Sequence, residues 1–196
     1  MKRLFDIIFS LIGLIILSPV FLVIAVLIKI ASPGPIFFMG KRVGKNGKEF
    51  KMYKFRTMVE NAENLGGPST ASDDPRLTKT GNFLKRFQLD ELPQLINVLN
   101  GQMSLVGPRP EVPFYVDMMT NEQKCTILSV LPGMTDLASL WDFHEGEVLK
   151  GSSDPEKTYQ EKIRPQKLRL QIEYAKNHSF FLDIKIIFKT IFKIFA

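Results

Sequence analysis

Apolar and polar positions are unevenly spread along this chain of 196 residues, with the longest apolar stretches at its two ends. From Ile7 to Ile28 no charged residue occurs. That run exceeds the roughly 18 consecutive apolar residues that mark a membrane helix, and it is too long for the apolar core of a signal peptide. Ser18-Pro19 falls near its middle. A proline inside a helix has no N–H for the carbonyl four residues earlier, here that of Ile15, and its ring presses on the same turn. The pattern therefore predicts a helix break, with the Ser18 hydroxyl available to the freed carbonyl. At the other end, Ser179 to Ala196 mixes Phe, Ile and Leu with Lys185, Lys189 and Lys193, which share one stripe of a helix. Such a helix suits the plane of a membrane interface; a core-packing helix with a solvated lysine stripe has the same pattern.

Between these ends, "ASPGPIFFMGKRVGKNGKEFKMYKFRTM" opens on a Pro/Gly turn and then offers two short extended runs around Asn46-Gly47, a dipeptide suited to a tight hairpin turn. Alternation along the second strand places Phe50, Met52, Lys54 and Arg56 on one face. "NAENLGGPSTASDDPRLTKTG" is polar and turn-rich and reads as a mobile surface loop. In the next segment Leu92, Leu95, Ile96 and Leu99 recur at helical spacing and Gly101 suits the C-terminal cap, which puts Asp90 and Glu91 at a helix start.

Charge refines the picture at the apolar N-terminal run. The net charge is +6; Lys2 and Arg3 precede the run, and Lys29, Lys41, Arg42 and Lys45 follow it. The positive-inside rule draws both ends to the cytoplasmic face, which favours a re-entrant hairpin over a kinked single span. The single Cys125 forms no internal disulfide, there are no repeats, and no Cys/His cluster has metal-ligand spacing. His144, Glu145 and Glu147 read as a solvated acidic loop. The expected organisation is a membrane anchor over residues 1–31 and a second segment over 32–196, folded as one unit.

Candidate chemistry lies in the central segment. Lys54 and Arg56 end a strand and are suited to phosphate, with Lys85 and Arg86 nearby in sequence. Asp90 and Glu91 are ordinary helix-capping residues taken alone, because carboxylates favour the unpaired N–H groups and positive dipole end of a helix. Arg109 is held between Pro108 and Pro110. Its planar, permanently charged fork matches phosphate oxygens, and the prolines fix its direction; a buried structural pair with Glu111 is the alternative.

The succession of "KRVGKNGKEFKMYKFRTM", "DDPRLTKTGNFLKRFQLDELPQLINVLNGQMSLVGPRP", "LPGMTD" and "NHSFFLDIKIIFKT" behind an apolar segment with Ser18-Pro19 resembles the bacterial initiating sugar transferases, the small monotopic phosphoglycosyl transferases. The resemblance covers nearly the whole chain and suggests the minimal form, without a multispanning N-terminal region. It implies an α+β fold, predominantly α: a re-entrant helix hairpin, a small β-hairpin and amphipathic interfacial helices around the active site. It further implies transfer of a sugar phosphate from a UDP-sugar to polyprenol (undecaprenyl) phosphate, releasing UMP and requiring Mg²⁺, at the cytoplasmic face of the bacterial inner membrane. Downstream glycosyltransferases would be partners, and nucleic acid would not. Asp90 would be the nucleophile and a magnesium ligand, and Glu91 would assist it. Arg56 and Arg109 would contact phosphate, with Lys54, Lys85 and Arg86 as weaker candidates. Asp183 matches a recurring acid of the family and equally suits a helix N-terminus.

One departure stands out. Asp136 replaces the family's usual glycine in "PGMTD", so the nucleotide-sugar pocket is expected to differ. Two other functions accommodate the anchor and the basic charge: a membrane-surface lipid-binding or scaffold protein, and a glycosyltransferase acting on a lipid-linked sugar. The scaffold reading gives no reason for adjacent Asp90-Glu91 near Arg109, and release of UMP rather than UDP separates the main reading from the glycosyltransferase one.

Overall fold

A computed structural model describes residues 1–62, 65–67, 69–141 and 145–195. Of the described residues 58% are helical, and a helix-dominated fold is what the sequence predicts. Helix α1 (Lys2–Ala31) is one continuous helical span, with Ser18-Pro19 inside it rather than in a loop between two helices. The reason is local. The Ser18 hydroxyl donates at 2.8 Å to the Ile15 carbonyl, the group that Pro19 leaves without an N–H, and this repairs the ladder where it would otherwise open. Only 11% of the most apolar 18-residue stretch of α1 is buried, so it is not the core helix of a soluble domain.

Both ends of α1 are fastened to the rest of the protein. Lys2 donates to the Val106 carbonyl at 2.9 Å and pairs with Asp183, while Arg3 donates to the carbonyls of Val98 and Leu99. At the other end Ile24 and Ile28 pack against Phe55 and Leu84.

Strands β1 (Phe37–Val43) and β2 (Glu49–Phe55) form the expected hairpin, antiparallel from Phe37 opposite Phe55 to Val43 opposite Glu49. The connection is longer than a two-residue turn. Gly44 donates its N–H to the Lys48 carbonyl at 2.9 Å, and Asn46 and Gly47 take φ 57° and 76° inside that loop. The two faces of β2 then separate its side chains, because alternate residues point to opposite sides. Phe55 packs on α1, whereas Phe50 and Met52 pack on Val98 and Met103.

Among the described residues of the loop after β2, Arg76 ties several backbone segments together. Arg76 is 9% exposed; it pairs with Asp74 at 2.7 Å and donates to the carbonyls of Gly67 and Ala62. Helix α2 (Lys79–Arg86) follows, capped by Thr78, whose hydroxyl accepts from the Gly81 N–H at 2.8 Å. Gln88, in the left-handed region at φ 54°, turns the chain into a 3-10 turn, Leu89–Glu91. Helix α3 (Gln94–Leu99) comes next. Fully buried Asn97 on α3 accepts from the Tyr53 N–H and donates to the Lys51 carbonyl, so α3 covers the free edge of β2.

A second sheet is not legible in the sequence. Strand β3 (Ser104–Val106) precedes helices α4 (Pro113–Asp117) and α5 (Asn121–Ile127), and then pairs in parallel with β4 (Gly133–Thr135). The backbones touch so closely that a Cβ on Gly133 would sit 2.0 Å from the Gly107 nitrogen, which is why both motifs carry glycine there. Helices α6 (Leu137–Trp141), α7 (Glu145–Val148), α8 (Pro155–Thr158), α9 (Arg164–Asn177) and α10 (Phe180–Phe195) complete the chain, with a π-helical turn over Tyr159–Ile163 leading into α9. Helix α10 buries Asp183 and Ile186 against Tyr174 and Val106, and leaves Phe181, Phe188 and Phe192 exposed.

Candidate active site

A cleft of about 2100 Å³ runs between the hairpin, the 3-10 turn, the loop after β3 and helices α9 and α10. Asp90, Glu91, Lys54 and Arg109 meet in it. The 3-10 turn lies against β2, so its two carboxylates face the cation projecting from that strand. Lys54 Nζ is 2.7 Å from Glu91 Oε1 and 3.8 Å from Asp90 Oδ2. Arg109 Nη2 donates to the same Glu91 oxygen, and its Nη1 donates to the Met134 carbonyl at 3.2 Å. Glu91 is thus bridged by two cations, whereas the Asp90 carboxylate accepts no hydrogen bond among the described residues.

The capping reading of Asp90 and Glu91 has no counterpart here. Neither the 3-10 turn nor α3 has a side-chain cap, and the residue at the N-cap of α3 is Pro93. The structural pair proposed for Arg109 is also different: its partner is Glu91, while both Glu111 carboxylate oxygens are buried without a hydrogen bond.

Adjacent acids in unlike surroundings acquire unlike acidities. Burial pushes Asp90 up to about 6, Lys54 opposes that rise, and the neighbouring Glu91 charge adds to it. Burial also acts to raise Glu91, but Arg109 and Lys54 outweigh it and hold that carboxyl well below the usual range. The pair's last proton therefore belongs to Asp90. Burial, with the Lys54 charge, lowers Lys85 to about 8. If Asp90 must be ionised to react, activity falls as pH drops through about 6. Lys54→Met removes a charge that favours the anion, so the acidic limb of the pH–rate profile should move upward; a limb that stays in place would separate Lys54 from Asp90.

The other candidates are dispersed. Lys85 lines the cleft and donates to the Thr70 carbonyl at 3.2 Å, and Arg86 lines it with its guanidinium 5.8 Å from the Phe87 ring. Arg56 also borders the cleft, but its fork is turned to the Pro33 and Ser32 carbonyls and the Ser32 hydroxyl, where it closes the end of α1. Pro110 lines the cleft, and the Pro108 carbonyl accepts from the Gly133 N–H at 3.0 Å, which fixes the turn carrying Arg109. Asp183 lies apart from the four central groups, bonded to Lys2 and to the Tyr174 hydroxyl at 2.5 Å. Asp136, fully buried, caps α6 through the Ser139 N–H at 2.7 Å and accepts from the Arg109 N–H at 3.2 Å.

Sequence reasoning missed the far wall. Glu145 does not sit in a solvated loop; it pairs with Lys167 at 2.8 Å within the cleft lining. Lys167 stands in a basic stretch of α9 that carries no local signal. Glu147 is on the exposed side with Lys150, and His144 lies outside the described residues.

No group of three or more His, Cys, Asp or Glu side chains among the described residues could hold a metal. The donor set still fits magnesium in one way. Asp90 has carboxylate oxygens without a hydrogen bond, and Mg²⁺ is commonly held by one or two carboxylates together with substrate phosphates and water.

Comparison with known proteins places this geometry in a family. The bacterial sugar transferase family model matches residues 1–196. A UDP-N-acetylgalactosamine-undecaprenyl-phosphate N-acetylgalactosaminephosphotransferase of Aeromonas hydrophila is 39% identical over 97% of this chain and 42% of its own length. The UDP-glucose:undecaprenyl-phosphate glucose-1-phosphate transferase of Escherichia coli (strain K12) is 37% identical over 100% of this chain and 40% of its own length. The chain thus spans about two fifths of those two relatives. It spans 93% of the exopolysaccharide production protein PSS of Rhizobium leguminosarum bv. phaseoli, at 39% identity over 97% of this chain. A match of the family model over every residue, with a cationic cradle around the paired acids of its "LDELPQ" segment, makes this chain a member of the bacterial sugar transferase family.

Proposed function

We propose that the protein is a phosphoglycosyl transferase that moves a sugar 1-phosphate from a UDP-sugar to polyprenol (undecaprenyl) phosphate, releases UMP and starts glycan assembly for downstream glycosyltransferases. The observation that carries this reading is the division of labour between the two acids. Glu91 is neutralised by Lys54 and Arg109, and Asp90 stands beside it with no hydrogen bond from the described residues to blunt its oxygens.

In the first half-reaction an Asp90 carboxylate oxygen bonds to the β-phosphorus, the bond from that phosphorus to the bridging oxygen breaks, and UMP leaves with the electron pair. In the second, a phosphate oxygen of the polyprenol phosphate attacks the same phosphorus and the Asp90 carboxylate departs. Lys54 and Arg109 neutralise charge on the phosphoryl oxygens, and Glu91 holds those two cations in place. Asp90 with the diphosphate would hold magnesium, which supplies further charge neutralisation when bound.

The fastening of α1 bears on topology. A helix of 30 residues is about 45 Å long, and a pass normal to the bilayer would put its two ends on opposite sides of a hydrocarbon core roughly 30 Å thick. Here Lys2 and Arg3 at one end and Ile24, Ile28 and Ser32 at the other all contact the same domain. The proposed arrangement is therefore monotopic and re-entrant, with residues 1–31 in one leaflet and the rest at the cytoplasmic face of the inner membrane. A cysteine added ahead of Met1 in a Cys125→Ser background should react with a membrane-impermeant probe only from the cytoplasmic side. Combining Ser18→Ala with Pro19→Leu should shift part of the population to a spanning form and lower activity. Labelling of the parent protein from the periplasm alone would contradict this topology.

The function itself is tested by a panel of UDP-sugars with polyprenol phosphate in detergent micelles. UMP as the released nucleotide is expected for one or more sugars; release of UDP would point to the glycosyltransferase reading.

A further inference from the structure

Arg109 is itself held, at its main chain, by two side chains that the reaction does not use. It is flanked by Pro108 and Pro110, so its N–H is the only main-chain donor of that three-residue turn. The preceding donor, the Gly107 N–H, bonds to the Thr135 carbonyl at 3.0 Å. Strand β4 ends at Thr135 and the chain enters α6 at Leu137, so the acceptor for Arg109 comes from a side chain instead. Asp136 supplies it: Oδ2 accepts from the Arg109 N–H at 3.2 Å, while Oδ1 accepts from the Ser139 N–H at 2.7 Å. One fully buried carboxylate therefore fastens the turn to the start of α6.

Gln171 on α9 takes the other side of the same residue, donating Nε2 to the Arg109 carbonyl at 3.3 Å. It too is fully buried, and its Oε1 has no hydrogen-bond partner among the described residues. A buried amide with one half unpaired is less favourable than an apolar side chain of the same length, so packing alone gives no reason for glutamine here. Neither Asp136 nor Gln171 borders the cleft, so neither reaches a substrate directly.

We propose that Asp136 and Gln171 are positioning residues for nucleotide-sugar binding. They fix the main chain of Arg109 so that its fork, already joined to Glu91 and the Met134 carbonyl, meets the diphosphate in one orientation. The inference rests on the transferase reading. Recognition of phosphate by a planar fork is directional, so a rotated main chain weakens binding even where the charge is kept.

The test is UDP binding to the full-length protein in detergent micelles with Mg²⁺, by isothermal titration calorimetry, with thermal unfolding of the same samples. Gln171→Met keeps the length and removes the amide; UDP affinity should fall roughly fivefold while the unfolding temperature stays level or rises. Asp136→Asn keeps an acceptor for Ser139 but turns a donor toward the Arg109 N–H, and should weaken UDP roughly tenfold. Should Asp136→Asn fail to fold, Gln171→Met alone decides. In an Arg109→Lys background either substitution should change UDP affinity by less than about twofold, because no fork is left to aim. A merely structural role predicts the opposite: affinity that follows the unfolding temperature, by the same factor in both backgrounds. That result would overturn the proposal. UDP bound equally by the parent and both variants would sink the positioning assignment alone, whereas a parent protein that does not bind UDP would sink the transferase reading on which it rests.

Discussion

Replacing Asp90 with Asn is expected to lower turnover by at least roughly 10³-fold while the fold persists, because the substitution removes the anionic nucleophile at nearly constant volume. The variant should also be more stable at neutral pH. Asp90 is 6% exposed, and burial raises its folded pKa to about 6, above the ordinary value of 3.8. Its contribution to stability is therefore fully present below pH 3.8 and is lost as pH rises through about 6, since the buried anion is the disfavoured form. Asn carries no such penalty, and a gain of about 3 kcal/mol above pH 7 is the expected order of magnitude. Thermal unfolding of the two proteins at pH 5 and pH 8 checks this, with the difference larger at pH 8. Loss of activity with a gain of stability is the signature of a group held for chemistry. A helix-capping acid gives the opposite result, since Asn caps well and activity would survive.

Arg109→Lys should lower kcat/KM by about 10²-fold with little change in unfolding temperature. The positive charge stays near Glu91, so the carboxylate is not abandoned in a buried site. The fork is lost: Arg109 joins the Glu91 carboxylate and the Met134 carbonyl at once, and an ammonium on a flexible stem cannot hold both and still present a flat face to phosphate. Arg109→Ala differs in kind. It strips one of the two cations from Glu91 and should destabilise the protein by about 3–5 kcal/mol, the usual cost of breaking a buried pair from one side. Steady-state kinetics together with denaturant unfolding distinguish the two outcomes; a Lys variant that turns over normally removes Arg109 from phosphate binding.

What was legible in the sequence follows from how far apart the interacting residues are. The membrane-type helix, the hairpin around Asn46-Gly47 and the helix after Asp90 each come from patterns within a few residues, and each is present. The meeting of Lys54, Glu91 and Arg109 spans three separate elements, and the family resemblance, not periodicity, pointed to it. Arg56 shows the limit. Alternation put it on the face with Lys54, but nothing local reveals that α1 ends beside it and offers two carbonyls to its fork. Asp183 is similar: its partner, Lys2, comes from the opposite end of the chain. The parallel pairing of β3 with β4 rests on two three-residue strands joined through two helices, too short to alternate visibly. That the helix assignment continues through Pro19 depends on the Ser18 hydroxyl reaching the Ile15 carbonyl, a single rotamer that no local pattern reveals.

The central claim is that Asp90 carries the phosphosugar between two separable half-reactions. The most direct measurement mixes the enzyme with UDP-sugar and Mg²⁺ in the absence of any polyprenol phosphate, quenches rapidly, and reads both released UMP and the intact mass of the protein. The account predicts a burst of UMP approaching the enzyme concentration, a protein heavier by one sugar phosphate, and an adduct on the peptide containing Asp90 that disappears when acceptor is added. UMP appearing only once acceptor is present, with unmodified protein at every time point, would contradict it and leave direct transfer within a ternary complex.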